Sequence, residues 1–333
     1  MAPPPLRPRQ HVRRQSANGR TPSLQFTLSC APFSVRGSLI ANPNLEPRTV
    51  SPRSIVLGAI AATLWGLSFI ASAVALEAFS PPQLTALRFM IAAVPVVFVA
   101  RPRVAWAPLV AIGLTLFTGQ FLLFFMALAM GLPPGLASVT QQTQVLFSTL
   151  LAAIFLDDTP RRRSVVGMLI AVVGLVLIAL SVGRSGPIAA LAVGIAAALS
   201  WAIGNVLIKR LGPVPVLPLM AWLSLIPPLP ALFVSLFYPG PGLFTAVATA
   251  GWWRLAAVLY LGLAATLIAY GIWGRLLTMY PTSMAAPFTL LVPVVGVTAS
   301  AVILGERFTA LRASGIGLML CGVAVAIITP RTP

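Results

Sequence analysis

PPGLASVTQQTQVLFSTLLAAIFL, residues 133–156, is answered 148 positions later by PTSMAAPFTLLVPVVGVTASAVIL, residues 281–304. Carried outward over 131–174 and 279–322 without a gap, the same offset sets Pro133 on Pro281, Ala137 on Ala285, Leu156 on Leu304, Gly167 on Gly315 and Gly174 on Gly322. A looser match sets Leu64-Trp65-Gly66 on Ser200-Trp201-Ala202. The chain reads as one unit written twice. Each quoted copy is mostly apolar and long enough for a hydrocarbon core of about 30 Å, which takes roughly 20 helical residues.

Around this pair the sequence holds ten apolar segments, at approximately 55–76, 83–100, 107–129, 136–156, 164–182, 187–208, 216–237, 253–277, 284–304 and 310–329. Short polar or Pro/Gly breaks divide them; between the third and fourth the turn is Gly131-Leu132-Pro133-Pro134-Gly135. The expected fold class is an all-α polytopic membrane protein, ten transmembrane helices as two five-helix repeats over 54–183 and 184–330. Five is odd, so the second copy must enter the bilayer in the opposite sense. Inverted repeats are the architecture of secondary transporters, which bind near the midplane where the halves meet and alternate access by rocking.

Composition agrees with a lipid solvent: 58% of the 333 residues are hydrophobic and 8% charged. The net charge of +17 is no nucleic-acid footprint, because eight of the 22 basic residues lie in the first 53 positions and most others punctuate gaps between apolar runs. With an inside N-terminus, the inner loops hold Arg101, Arg103, Arg161, Arg162, Arg163, Lys209, Arg210, Arg275 and Arg331. The outer loops then hold Arg184, Arg254, Arg307 and Arg312, so nine against four puts both termini in the cytoplasm. Residues 1–53 are Arg-, Pro- and Ser-rich and are expected to be a disordered basic tail, with the native start downstream at Val35 or Val50. Cys30, Cys321 and His11 are too few for a disulfide framework or a metal site, and Cys321 is expected as a small packing residue. No metal or cofactor is implied. The expected partners are a small-molecule substrate and the lipid bilayer, with the chain a monomer or homodimer.

Polar side chains inside spans are functional candidates, since the bilayer offers them no water. In span 4, Gln141, Gln144 and Ser148 follow i, i+3, i+7 on one helix face, with Gln142 about 100° away. Each Gln serves either the cavity or a hydrogen bond between helices. Trp201 and Asn205 share a face of span 6, and Trp65 holds the equivalent place in span 1, so the two indoles are expected on opposed walls of a pseudo-symmetric chamber. Gln120, Tyr270 and Trp273 complete that set; either ring of the last two also suits packing between helices. Arg88 lies five residues past Gln83, roughly 8 Å deep at about 1.5 Å per residue. It is either a snorkelling anchor paired with Glu77 or a ligand for a substrate carboxylate. Amides serve both ends of a zwitterion, and indole faces attract its ammonium. Pro287 and Pro293 are placed to kink or break span 9. An intramembrane enzyme would need catalytic acids, bases or metals within the spans; His, Lys, Asp and Glu do not occur there away from the ends, so no catalytic residue is expected.

These residues resemble the drug/metabolite transporter superfamily, the EamA-type permeases, and within it the bacterial O-acetylserine/cysteine exporters, over roughly 55–328. The likeness rests on Leu64-Trp65-Gly66, Leu87-Arg88-Phe89, Gly119-Gln120-Phe121, Gly135-Leu136-Ala137-Ser138 with Gln142 and Gln144, and Ser200-Trp201-Ala202 with Gly204-Asn205. It continues through Tyr270-Gly271-Ile272-Trp273-Gly274, Ala286-Pro287, Leu291 to Gly296, and Glu306-Arg307. Ser68, Gln141 and Asp157-Asp158 depart from the family's pattern. The resemblance implies a multi-pass inner-membrane exporter of cysteine-pathway metabolites. A drug or other-metabolite exporter of the same superfamily is the alternative, with the same fold and a different cavity.

Overall fold

The computed structural model describes residues 51–156, 160, 162–182, 188–280 and 285–327. The expected tail lies outside the described residues except for its last three, and Pro52 and Arg53 already belong to the first helix. Backbone amides in a bilayer must be satisfied within their own segment, so apolar runs become helices. Proline at the first turn costs no bond there and sets φ for the helix. Thus α1 (Pro52–Leu76) starts at Pro52 behind the cap Ser51, whose hydroxyl accepts the Ser54 amide. α2 (Pro81–Phe98) follows, and α3 (Trp106–Ala129) ends in a turn where Gly131 takes φ 95°, a conformation that favours glycine.

The fourth run is two helices, α4 (Pro134–Thr140) and α5 (Thr143–Phe155). Then come α6 (Arg162–Val182), α7 (Ile188–Leu211), α8 (Val216–Ser235), the short α9 (Leu243–Thr249), α10 (Trp252–Met279), α11 (Phe288–Ile303) and α12 (Ala310–Ile327). Among the described residues there is no strand. Among the described residues seven helices, α1, α2, α3, α6, α7, α8 and α10, are long and apolar enough to cross a membrane; α11 and α12 are shorter apolar helices.

The repeat is present in the geometry. α5 spans 143–155 and the α-helical part of α11 spans 291–303, an offset of 148 at both ends; α6 starts at Arg162 and α12 at Ala310, the same offset. α3 and α10 each contain a π-helical stretch, Gly113–Gly119 and Tyr260–Ile268. In each, a threonine donates to the carbonyl five residues back: Thr118 to Gly113 at 3.2 Å and Thr266 to Leu261 at 2.8 Å. α1 packs on α10 and α11, and α7 packs on α3, α4 and α5, the arrangement obtained by exchanging the halves.

α6 and α12 form the most extensive helix pair, and they run antiparallel: Gly167 meets Gly322, Gly174 meets Gly315, and the Ser164 hydroxyl donates to Ala326 at 3.3 Å. A Cβ on any of these glycines would overlap the facing backbone, so the pair is a close small-residue contact. Phe89, Phe117, Phe125, Leu136 and Leu261 fill the interior, while Leu169, Val173 and Leu180 of α6 and Leu229 and Phe233 of α8 face outward, as lipid contact requires. Cys321 is exposed on α12, a correction to its expected packing role.

Candidate functional site

Two breaks lie where the halves cross. α4 ends at Thr140, a turn covers Gln141 and Gln142, and α5 begins at Thr143; a 3-10 turn over Ala286–Leu290 leads into the α-helical part of α11 at Leu291. Hydroxyls loosen the first break by bonding local carbonyls: Ser138 to Gly135, Thr140 to Leu136 and Thr143 to Thr140, at 2.7, 2.9 and 2.8 Å. Gln142 Nε2 donates to the Thr289 carbonyl at 3.2 Å, so the broken segments meet at their breaks. The expected continuous face of Gln141, Gln144 and Ser148 is therefore corrected: Gln141 lies in the turn, buried, with its Oε1 unpartnered.

Gln144, Ser148 and Asn205 form one polar group. Asn205 Nδ2 donates to Gln144 Oε1 at 3.0 Å and reaches Ser148 Oγ at 3.4 Å, while Ser148 donates to the same Gln144 oxygen at 3.3 Å. An i, i+4 pair on α5 thus meets one amide from α7, as spacing on both helices allows.

An aromatic chain forms the second group. Trp65 packs edge-on against Tyr270 and Trp273, with centroids 5.3 and 5.7 Å apart. Tyr270 lies 6.2 Å from Phe117, which neighbours Phe121 at 6.3 Å. The Arg88 guanidinium stands over the Phe121 ring at 4.1 Å and over Phe89 at 5.8 Å. Its Nε donates to Thr266 Oγ1 at 3.1 Å. Reciprocal bonds fasten α1 to α10: Trp65 Nε1 donates to the Ala265 carbonyl at 2.9 Å and Tyr260 donates to Leu64 at 2.7 Å. The other half answers with Ser200, which donates from α7 to Thr115 in the α3 π stretch at 2.7 Å.

Arg88 is 2% exposed, not the snorkelling residue that its distance from Gln83 implied. Glu77 is not its partner, because that carboxylate pairs with Arg254 at 2.8 Å. Gln120 stands outside both groups, buried with its Oε1 unpartnered; Trp201 packs against the apolar core, and among the described residues no ring contact joins it to Trp65. A cavity of about 360 Å³ between α1 and α10 is lined by Leu67, Ile70, Ala71, Val74, Trp253 and neighbouring apolar residues; Tyr260 reaches it, and none of the predicted site residues does. Residues that the sequence argument passed over are Thr266, Tyr260 and Phe117. The signal for Thr266 was available, since the 148 offset aligns it with Thr118. Among the described residues no cluster of His, Cys, Asp and Glu is suited to a metal ion.

The EamA-like transporter family model matches the chain twice, over residues 52–180 and 188–328. The chain belongs to the EamA-like transporter family. A Salmonella typhimurium relative described as a probable amino-acid metabolite efflux pump is 38% identical over 279 residues, covering 81% of this chain and 93% of the relative. An Escherichia coli protein with the same description is 36% identical over 291 residues, covering 85% and 97%. A solved protein crystal structure matches with TM-score 0.58 over 82% of this chain and 96% of its own, at 20% identity, which speaks to fold alone. This EamA-family protein is accordingly a multi-pass membrane transporter rather than an enzyme.

Proposed function

We propose that the protein exports amino-acid metabolites across the inner membrane, O-acetylserine and cysteine first among them, by alternating access. Its ten spans are the seven long helices, α11, α12 and the broken α4–α5 pair, in two oppositely inserted halves over 54–183 and 184–330, with both termini cytoplasmic. The constant offset, the antiparallel α6–α12 pair and the interchangeable helix neighbours support that arrangement. The relatives described as amino-acid metabolite efflux pumps support the substrate class. A single chain holds both halves, so the transporting unit is the monomer, alone or within a homodimer.

The observation that carries the proposal is the aromatic chain from Trp273 through Trp65, Tyr270, Phe117 and Phe121 to Arg88, drawn from both halves and ending on a buried cation. Arg88 serves as ligand for the substrate carboxylate, and indole and phenol faces meet the ammonium. The amides of Gln144 and Asn205 take the side chain, Gln142 lines the path at the break, and Gln120 and Trp201 belong to its walls in the first and second halves. Transport requires the two broken segments to move past one another, since half-helices at midplane are where such folds bind and hinge.

Purified protein in liposomes loaded with labelled O-acetylserine, cysteine or an unrelated amino acid tests this, with and without a pH gradient. Efflux of the first two, lost in Arg88→Gln protein of normal yield, is the expected result. Efflux of drugs but of none of the amino acids would overturn it in favour of a drug exporter.

A further inference from the structure

We propose that Thr266 is the positioning residue of a carboxylate receptor: by holding the Nε edge of Arg88 it leaves the Nη1/Nη2 fork as the face that takes a substrate carboxylate end-on. The inference rests on the export reading above, in which Arg88 meets a carboxylate.

Arg88 and Thr266 are each 2% exposed and come from different repeats. A threonine hydroxyl has one proton and two lone pairs. The Thr266 proton goes to the Leu261 carbonyl at 2.8 Å, so toward Arg88 the oxygen accepts, and Nε donates to it at 3.1 Å. The π stretch supplies the carbonyl that fixes this sense. Phe121 covers the guanidinium plane at 4.1 Å without using an N–H. Among the described residues neither Nη atom makes a hydrogen bond and no carboxylate pairs with the guanidinium.

A guanidinium stays charged in a protein, and burying it with a fork unpaired is costly. A carboxylate that arrives with each substrate resolves that cost, and a planar fork selects it over an ester or alcohol. The first half provides a comparison. Thr118 makes the same bond five residues back, to Gly113 at 3.2 Å, yet among the described residues no arginine bonds to it. The threonine bond therefore belongs to the fold of both π stretches, and the arginine contact is what Thr266 adds.

The experiment compares wild type, Thr266→Val, Thr266→Ser and Thr118→Val in liposomes, reading KM and kcat for labelled O-acetylserine and inhibition by its methyl ester. Thr266→Val raises KM for the acid about tenfold or more, the scale of one hydrogen bond to a charged group, with a smaller change in kcat and unchanged inhibition by the ester. Thr266→Ser restores the wild-type KM, and Thr118→Val leaves it unchanged. A wild-type KM in Thr266→Val, or equal weakening for acid and ester, overturns the proposal. A second measurement is the 15Nε arginine NMR spectrum in nanodiscs without substrate, with the Arg88 signal assigned by its absence from Arg88→Gln. That signal shifts in Thr266→Val and not in Thr118→Val; an unmoved signal overturns the positioning role. Wild-type protein that exports none of the probes defeats the export reading, and the spectrum still decides the role of Thr266.

Discussion

Arg88 keeps its charge away from water because the second half of the chain covers the start of α2. Gln83 is itself 3% exposed and donates to the Pro241 carbonyl at 2.7 Å, so counting residues from Gln83 measured distance from a protein loop, not from solvent. In the sequence Arg88 stands inside a span, away from the ends where Arg254, Arg275 and Arg312 lie; its partner was illegible, because Thr266 lies 178 positions away. Asn205 was legible through its spacing from Trp201, and its bond to Gln144 makes a coupled pair. Replacing either Asn205 or Gln144 by leucine is expected to lower O-acetylserine export about tenfold, and the double variant to lose little more. Two partners of one hydrogen bond are not additive, and efflux rates in a double-mutant cycle check this.

At the scale of elements, helices followed from apolar length; of the two breaks, the one beside Pro287 was marked in the sequence and the one at Gln141 and Gln142 was not. The run 136–156 looks like one span because its Gln and Thr residues sit among apolar neighbours; the interruption depends on three hydroxyls bonding local carbonyls and on Thr289 accepting from Gln142 across the crossing. Gln142→Leu removes the bond between the two breaks and is expected to slow export while α4 and α5 still form, which efflux and circular dichroism together report. The α6–α12 pair was half legible, since the offset aligned Gly167 with Gly315 and Gly174 with Gly322, but the contacts are crossed, Gly167 on Gly322 and Gly174 on Gly315. Gly167→Val pushes a side chain onto the Ala326 backbone and is expected to cost about 1–3 kcal/mol by overpacking. A lowered Tm in detergent, with the same drop for Gly322→Val, checks it.

Across the whole molecule, the duplication was the most legible property, because helix limits repeat at the offset that the residues themselves carry. Where the repeats differ is where function is proposed: Arg88 reaches Thr266 but no arginine among the described residues reaches Thr118, and Trp65 joins an aromatic chain that Trp201 does not. Such differences arise from contacts between halves, which no single segment encodes. The account stands on the halves entering the bilayer in opposite senses. Met130 and Thr278, 148 apart and both exposed at the ends of α3 and α10, report this directly. In protein with Cys30 and Cys321 replaced by serine, Met130→Cys is expected to react with a membrane-impermeant maleimide added to intact cells, and Thr278→Cys only after the inner face is opened; labelling of both from the same face would contradict the inverted repeat.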